Sequence, residues 1–158
     1  MNTKFSLSVL IALSFVVTNV VAQESRVEVQ AGRCSAIFFM LSETHQNQST
    51  SFSLFQHFVG VFENLYVAEK KERTGSGTRE DGIKRRELIL KEFKESYLTR
   101  QASLKEEVVL CGAWAEGYRV QGEHYTYVPI IPKLIPLPVR ADYEAFADTG
   151  WKKWMSLH

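Results

Sequence analysis

The sequence lacks every short motif that would name a reaction. It has no Gly-x-Ser-x-Gly elbow for an activated serine and no Gly-Lys-Ser/Thr phosphate loop. No Cys-x-x-Cys pair is present for redox exchange, and no Cys-x-x-Cys-His for attached haem. Histidine is scarce. The four residues His45, His57, His124 and His158 never fall at the i, i+4 spacing that lets two imidazoles share a metal. His57 lies at the polar edge of a helical stretch, where a solvated role fits better than ligation. No metal and no cofactor are therefore expected.

An excess of one charge is also missing. Lys+Arg number 19 and Asp+Glu 18, and Lys4 is the only charge in the first 22 residues. Without those residues the chain is balanced at 18 and 18, so there is no electrostatic case for nucleic acid. The clusters Lys70-Lys71-Glu72-Arg73 and Lys84-Arg85-Arg86 alternate with acids and read as solvated faces. Long apolar runs are limited to Phe5–Val17, short of the ~20 residues a membrane span needs.

What the N-terminus does have is the layout of a secretory signal. Lys4 is followed by the apolar run, and Asn19-Val20-Val21-Ala22 supplies small or medium residues at a cleavage site. Residues 1–22 are read as a cleaved signal peptide, placing the mature chain in the periplasm or outside the cell. The triplet Asn47-Gln48-Ser49 matches a glycosylation sequon, but the short leader has bacterial proportions, and the match is read as accidental.

Two cysteines, Cys34 and Cys111, remain in the mature chain. In an oxidising compartment they permit one internal pairing, closing a loop of roughly 78 residues. Chain entropy assigns that loop about 4.5 kcal/mol of stabilisation. The alternative is two buried free thiols, and helix periodicity decides between them.

From about Val29 to Thr44, Cys34, Ile37, Phe38 and Leu41 recur at i, i+3, i+4, i+7, with Ala36, Phe39 and Met40 filling the other side. A helix apolar nearly all round belongs at the centre of the fold. Ser51 to about Arg73 places Leu54, Phe55, Phe58, Val59, Val61, Phe62, Leu65 and Tyr66 in one arc, with Gln56, Gly60, Glu63 and Asn64 opposite. Thr74–Thr78 breaks the chain. A third, highly charged helix runs from Glu80 to about Gln101 on a narrow stripe of Ile83, Leu90, Phe93 and Tyr97. Ser103-Leu104-Lys105-Glu106 has the capping-box pattern and should open a fourth, to about Arg119. On that helix Leu104, Val108, Cys111, Ala115 and Tyr118 share a stripe, with Trp114 beside it. Both cysteines thus sit on apolar faces that would meet in a bundle, which favours a structural disulfide.

The C-terminal part changes character. Tyr125 to Val139 is apolar and contains Pro129, Pro132, Pro136 and Pro138, a density that predicts an extended, polyproline-like arm. A short helix over Ala141–Asp148 should close at Gly150, followed by an aromatic tail with Trp151 and Trp154. The expected fold is all-α: a small four-helix bundle-like domain over 23–120, then 121–158 as arm and short helix packed on it.

Three functional readings follow. The leading one is an exported, non-enzymatic, accessory or partner-binding protein of the envelope. Its candidate protein-binding residues are the four arm prolines with Trp151 and Trp154, because extended Pro-rich segments dock at low ordering cost. The second is a carrier of a small apolar ligand or a haem. Phe52, Phe55, Phe58, Phe62 and Tyr66 would line the pocket, and Met40 or Met155 would pair with a histidine. The third is a cell-wall enzyme using carboxylates among Glu106, Glu107 and Glu116.

Overall fold

The computed structural model describes residues 23–121 and 137–158. They form four helices: α1 (Arg26–Thr44), α2 (Ser49–Thr74), α3 (Arg79–Gln121) and α4 (Leu137–Leu157). Among the described residues there is no strand. The fold is an all-α bundle, and α1 touches each of the other three helices. Residues 1–22, expected to be a signal peptide, and the arm residues Pro129, Pro132 and Pro136 lie outside the described residues.

α1 begins three residues earlier than its apolar period suggests. Ser25 caps it: its Oγ accepts the Glu28 N–H at 3.0 Å, and its own N–H donates to Glu28 Oε2 at 2.7 Å. At the far end the N–H of His45 reaches the carbonyls of Leu41 and Ser42, both at 3.1 Å. The helix is buried almost all round, as its composition predicts: Ala31, Cys34, Ala36, Ile37, Phe38, Met40 and Leu41 are each fully buried.

α2 ends at Gly75, whose φ of 77° is the left-handed conformation that glycine adopts without a Cβ penalty. Its N–H bonds to Lys71 O at 2.8 Å. Phe55, Phe58, Phe62 and Tyr66 turn inward as the arc predicts. Leu54, assigned to the same arc, is partly exposed. Glu63, expected on the solvent side, is instead buried and ion-paired with Arg86 of α3.

The expected break before Ser103 is present as a kink: Arg100, at φ −130°, ψ 21°, is non-helical and divides α3 into two helical stretches. Ser103 does not form the capping box; its Oγ donates to the Arg100 carbonyl at 3.1 Å. The kink is held across by charge. Glu92 before it and Glu107 after it are both contacted by Arg33 of α1 and by Arg100.

The C-terminal helix is longer than expected at both ends. Residues 137–139 are helical rather than extended, and Pro138 falls in the first turn, where a missing N–H leaves nothing unpaired. Gly150 does not stop the helix. It lets α4 lie close on α1, since a Cβ there would stand 3.0 Å from Leu41 Cδ2 and 3.3 Å from Met40 Sδ. Trp151–Met155, read as a tail, is the last part of the same helix.

Aromatic rings fill the space between helices. Phe38 lies 5.0 Å from Phe58, 5.7 Å from Phe62 and 6.0 Å from Phe55, centroid to centroid. Phe62 meets Trp114 at 4.8 Å, and Phe55 meets Phe146 of α4 at 5.4 Å. Each buried phenyl is worth roughly 1.5–3 kcal/mol of transfer free energy, so this cluster is the main apolar contribution to the fold.

Candidate functional site

Cys34 of α1 and Cys111 of α3 are bonded, with an S–S distance of 2.05 Å and Cα atoms 5.2 Å apart. Both are fully buried. Gln30 Nε2 lies 3.4 Å from the first sulfur and 3.6 Å from the second. Exchange requires a thiolate to reach a sulfur, and here the helices must part first. The bridge is a structural clamp, as the matching apolar stripes predict.

Trp151 and Trp154, predicted as partner-binding residues, are each 3% exposed. Trp151 meets Phe93 edge-on at 5.3 Å and Trp154 at 6.0 Å. Trp154 Nε1 donates to Glu43 Oε2 at 2.9 Å. Use within the molecule is what the structure shows for both rings. Of the prolines grouped with them, only Pro138 is among the described residues, at the start of α4.

One apolar groove is open beside Trp154. Phe39, Leu90 and the Trp154 edge form its floor, and Glu43, Glu87, Lys91, Lys94 and His158 its rim, enclosing about 350 Å³. Its walls come from α1, α3 and the end of α4. The Arg86 guanidinium covers the Phe39 ring at 4.4 Å, stiffening that wall. Lys94 Nζ bonds to the His158 backbone oxygen, and His158 Nε2 lies 3.7 Å from Glu43. Leu98, one turn beyond Lys94 on the same side of α3, is 83% exposed, and Leu157, next to His158, is 57% exposed. Sequence reasoning missed this groove because three helices build it. Its one signal was Leu90, at the end of the Leu88-Ile89-Leu90 run in the otherwise charged α3.

Two charged assemblies are structural. At one end of the bundle, Glu28 is fully buried and held by Arg73, Nε to Oε2 at 2.7 Å and Nη2 to Oε1 at 2.8 Å. The Arg73 hydrogen bond outweighs desolvation and lowers the Glu28 pKa. Beside it Tyr66 donates to Glu24 at 3.1 Å; burial first, then the Glu24 charge, pushes its pKa up to about 12. Glu63 behaves oppositely to Glu28, because desolvation outweighs the attraction of Arg86 and raises its pKa.

The remaining predicted residues are placed as follows. Glu107 is clamped by Arg33, and Glu106 pairs with Arg140 at 2.8 Å. Glu116 is half-buried on the last turns of α3. His45 Nδ1 lies 2.8 Å from the Leu41 carbonyl, and its ring sits between Phe55 and Phe146, 5.4 Å from each. His57 is exposed on α2, and His124 lies outside the described residues. Met40 is fully buried and Met155 half-buried. Among the described residues, no three His, Cys, Asp or Glu side chains converge as a metal site. No described helix is long and apolar enough to cross a membrane.

Comparison with family models, with curated proteins and with solved structures finds no match in any of the three.

Proposed function

We propose that this chain is an exported, non-enzymatic protein of the envelope or the secreted fraction that works by binding another protein. The observation that carries this reading is the Phe39–Leu90–Trp154 groove. An apolar floor inside a charged rim is the usual anatomy of a specific contact. The rim mixes Lys91 and Lys94 with Glu43 and Glu87, so it suits a helical segment that offers an apolar anchor flanked by both charges. Export is supported by residues 1–22 and by the disulfide, which persists in oxidising compartments.

The carrier reading is weakened by the use of its own residues. The rings of Phe55, Phe58 and Phe62 are spent on Phe38, Phe146 and Trp114. The wall-enzyme reading loses Glu106 and Glu107 in the same way, to arginines.

Removing residues 125–158 would delete α4 and with it part of the core, so point changes are the proper test. Pull-down from envelope extract should recover a partner with the natural chain and with Leu54→Asp on α2, and lose it with Leu90→Asp in the groove floor. Equal recovery with Leu90→Asp, in a chain whose folding is verified, overturns the groove as the binding surface.

A further inference from the structure

We infer that Gln23 is the site of a covalent modification: once exported, the chain begins with a pyroglutamate formed from this residue. The inference rests on the export reading above, in which cleavage after Ala22 leaves Gln23 with a free α-amine. The amine nitrogen attacks the Gln23 side-chain amide carbon. A C–N bond closes a five-membered lactam, the bond to the amide nitrogen breaks, and ammonia leaves. No oxidant, reductant or co-reactant is needed.

The surroundings suit the reaction. Gln23 is exposed and lies outside α1, whose first residue is Arg26, so its side chain is free to fold back on its own amine. The residues directly after it are fixed. Glu24 accepts from Tyr66 and pairs with Arg85 at 2.5 Å, and Ser25 caps α1. The reacting residue is thus a free end on a rigid anchor, and cyclisation disturbs nothing in the bundle. An α-amine titrates near about 7.7–8.0, so an appreciable fraction is unprotonated and nucleophilic at neutral pH. Attack within one residue has the advantage of an intramolecular reaction.

The product also fits the local charge pattern. An ammonium at residue 23 would sit just before the positive end of α1. The lactam replaces that ammonium with a neutral amide at a helix end that favours negative charge. It also removes the ammonium that aminopeptidases grip, leaving an end closed to stepwise trimming.

The test is the intact mass and N-terminal sequencing of the chain purified from the exported fraction. The expected mass is that of residues 23–158 with one disulfide, less one ammonia, with the end refractory to sequencing. Gln23→Ala, at an exposed position, should give an open end that reads alanine. A chain of residues 23–158 that retains the ammonia and reads glutamine first, even after prolonged incubation at neutral pH, overturns the modification and leaves the export reading standing. A chain in the exported fraction that begins at any other residue overturns the modification and the cleavage site, whereas a chain that retains residues 1–22 and is absent from that fraction overturns the export reading itself.

Discussion

Arg33 and Glu107 form a two-point ion pair beside the disulfide, with Nε to Oε2 at 2.7 Å and Nη2 to Oε1 at 2.9 Å. Arg33 adjoins Cys34, and Glu107 stands one turn before Cys111, so a covalent and an ionic tie join α1 to α3 at the same level. The third contact of the guanidinium, Nη1 to Glu92 Oε1 at 3.1 Å, reaches back across the Arg100 kink. The arginine also lies over the Phe93 ring at 4.8 Å.

Arg33→Ala should therefore cost more than a surface pair does. Hydrogen bonds to charged groups are worth about 1.5–3 kcal/mol, and the loss should fall in that range. Arg33→Lys should recover only part of it, because an ammonium cannot reproduce the planar fork. Denaturant melts of the two variants check this. Equal stability of Arg33→Lys and the natural chain would show that charge alone, not the fork, supports the kink.

Two glycines should respond in opposite directions. A Cβ on Gly112 would stand 2.3 Å from two ring carbons of Tyr143, whereas one on Gly60 meets nothing within 4 Å. Gly112→Ala should push α4 away and destabilise by about 1–3 kcal/mol or more, as overpacking does. Gly60→Ala should stabilise by up to about 1 kcal/mol through helix propensity. Thermal melts distinguish them directly, and a neutral Gly112→Ala would contradict the close approach of α3 and α4.

The pH dependence follows from Glu28 and Tyr66. The folded pKa of Glu28 lies below its ordinary 4.5, so the unfolded chain takes up this proton first as pH falls. Its contribution is complete above that value and is lost on acidification. Glu63, with its pKa raised, acts in the opposite sense and blunts the acid loss. Glu28→Gln should be less stable at neutral pH, since the charge-assisted hydrogen bonds from Arg73 to the buried carboxylate are lost, and its acid-side slope should be shallower.

At the alkaline end, Tyr66 ionises near 10 when unfolded and at about 12 when folded. Its contribution is present below about 10 and is lost as pH rises towards 12. Tyr66→Phe should remove that alkaline loss. It should also cost about 1.5–3 kcal/mol at neutral pH, through the lost hydrogen bond to Glu24. Stability curves across the alkaline range that coincide in shape for the two proteins would contradict the assignment.

Much of the fold is legible in the sequence because apolar periodicity is a local signal. Cys34 and Cys111 fall on the stripes of their helices, and a shared core follows. The errors lie where a distant packing partner overrides a local rule. Gly150 and Pro138 are stop signals read alone, yet one is needed for contact with Leu41 and the other is harmless in a first turn. Glu63 is polar by type and buried by virtue of Arg86, 23 residues away in the chain. The groove is harder still, since Phe39, Leu90 and Trp154 meet only when three helices are assembled.

The central claim is that an oxidised Cys34–Cys111 bridge locks α1 to α3. Replacing both cysteines by Ala should lower stability by about 2–5 kcal/mol, close to the effect of replacing either one. The most direct measurement is thiol titration of the denatured, unreduced chain taken from the exported fraction. No free thiol is the expected result. Two free thiols per chain, one from each cysteine in the sequence, would contradict the account.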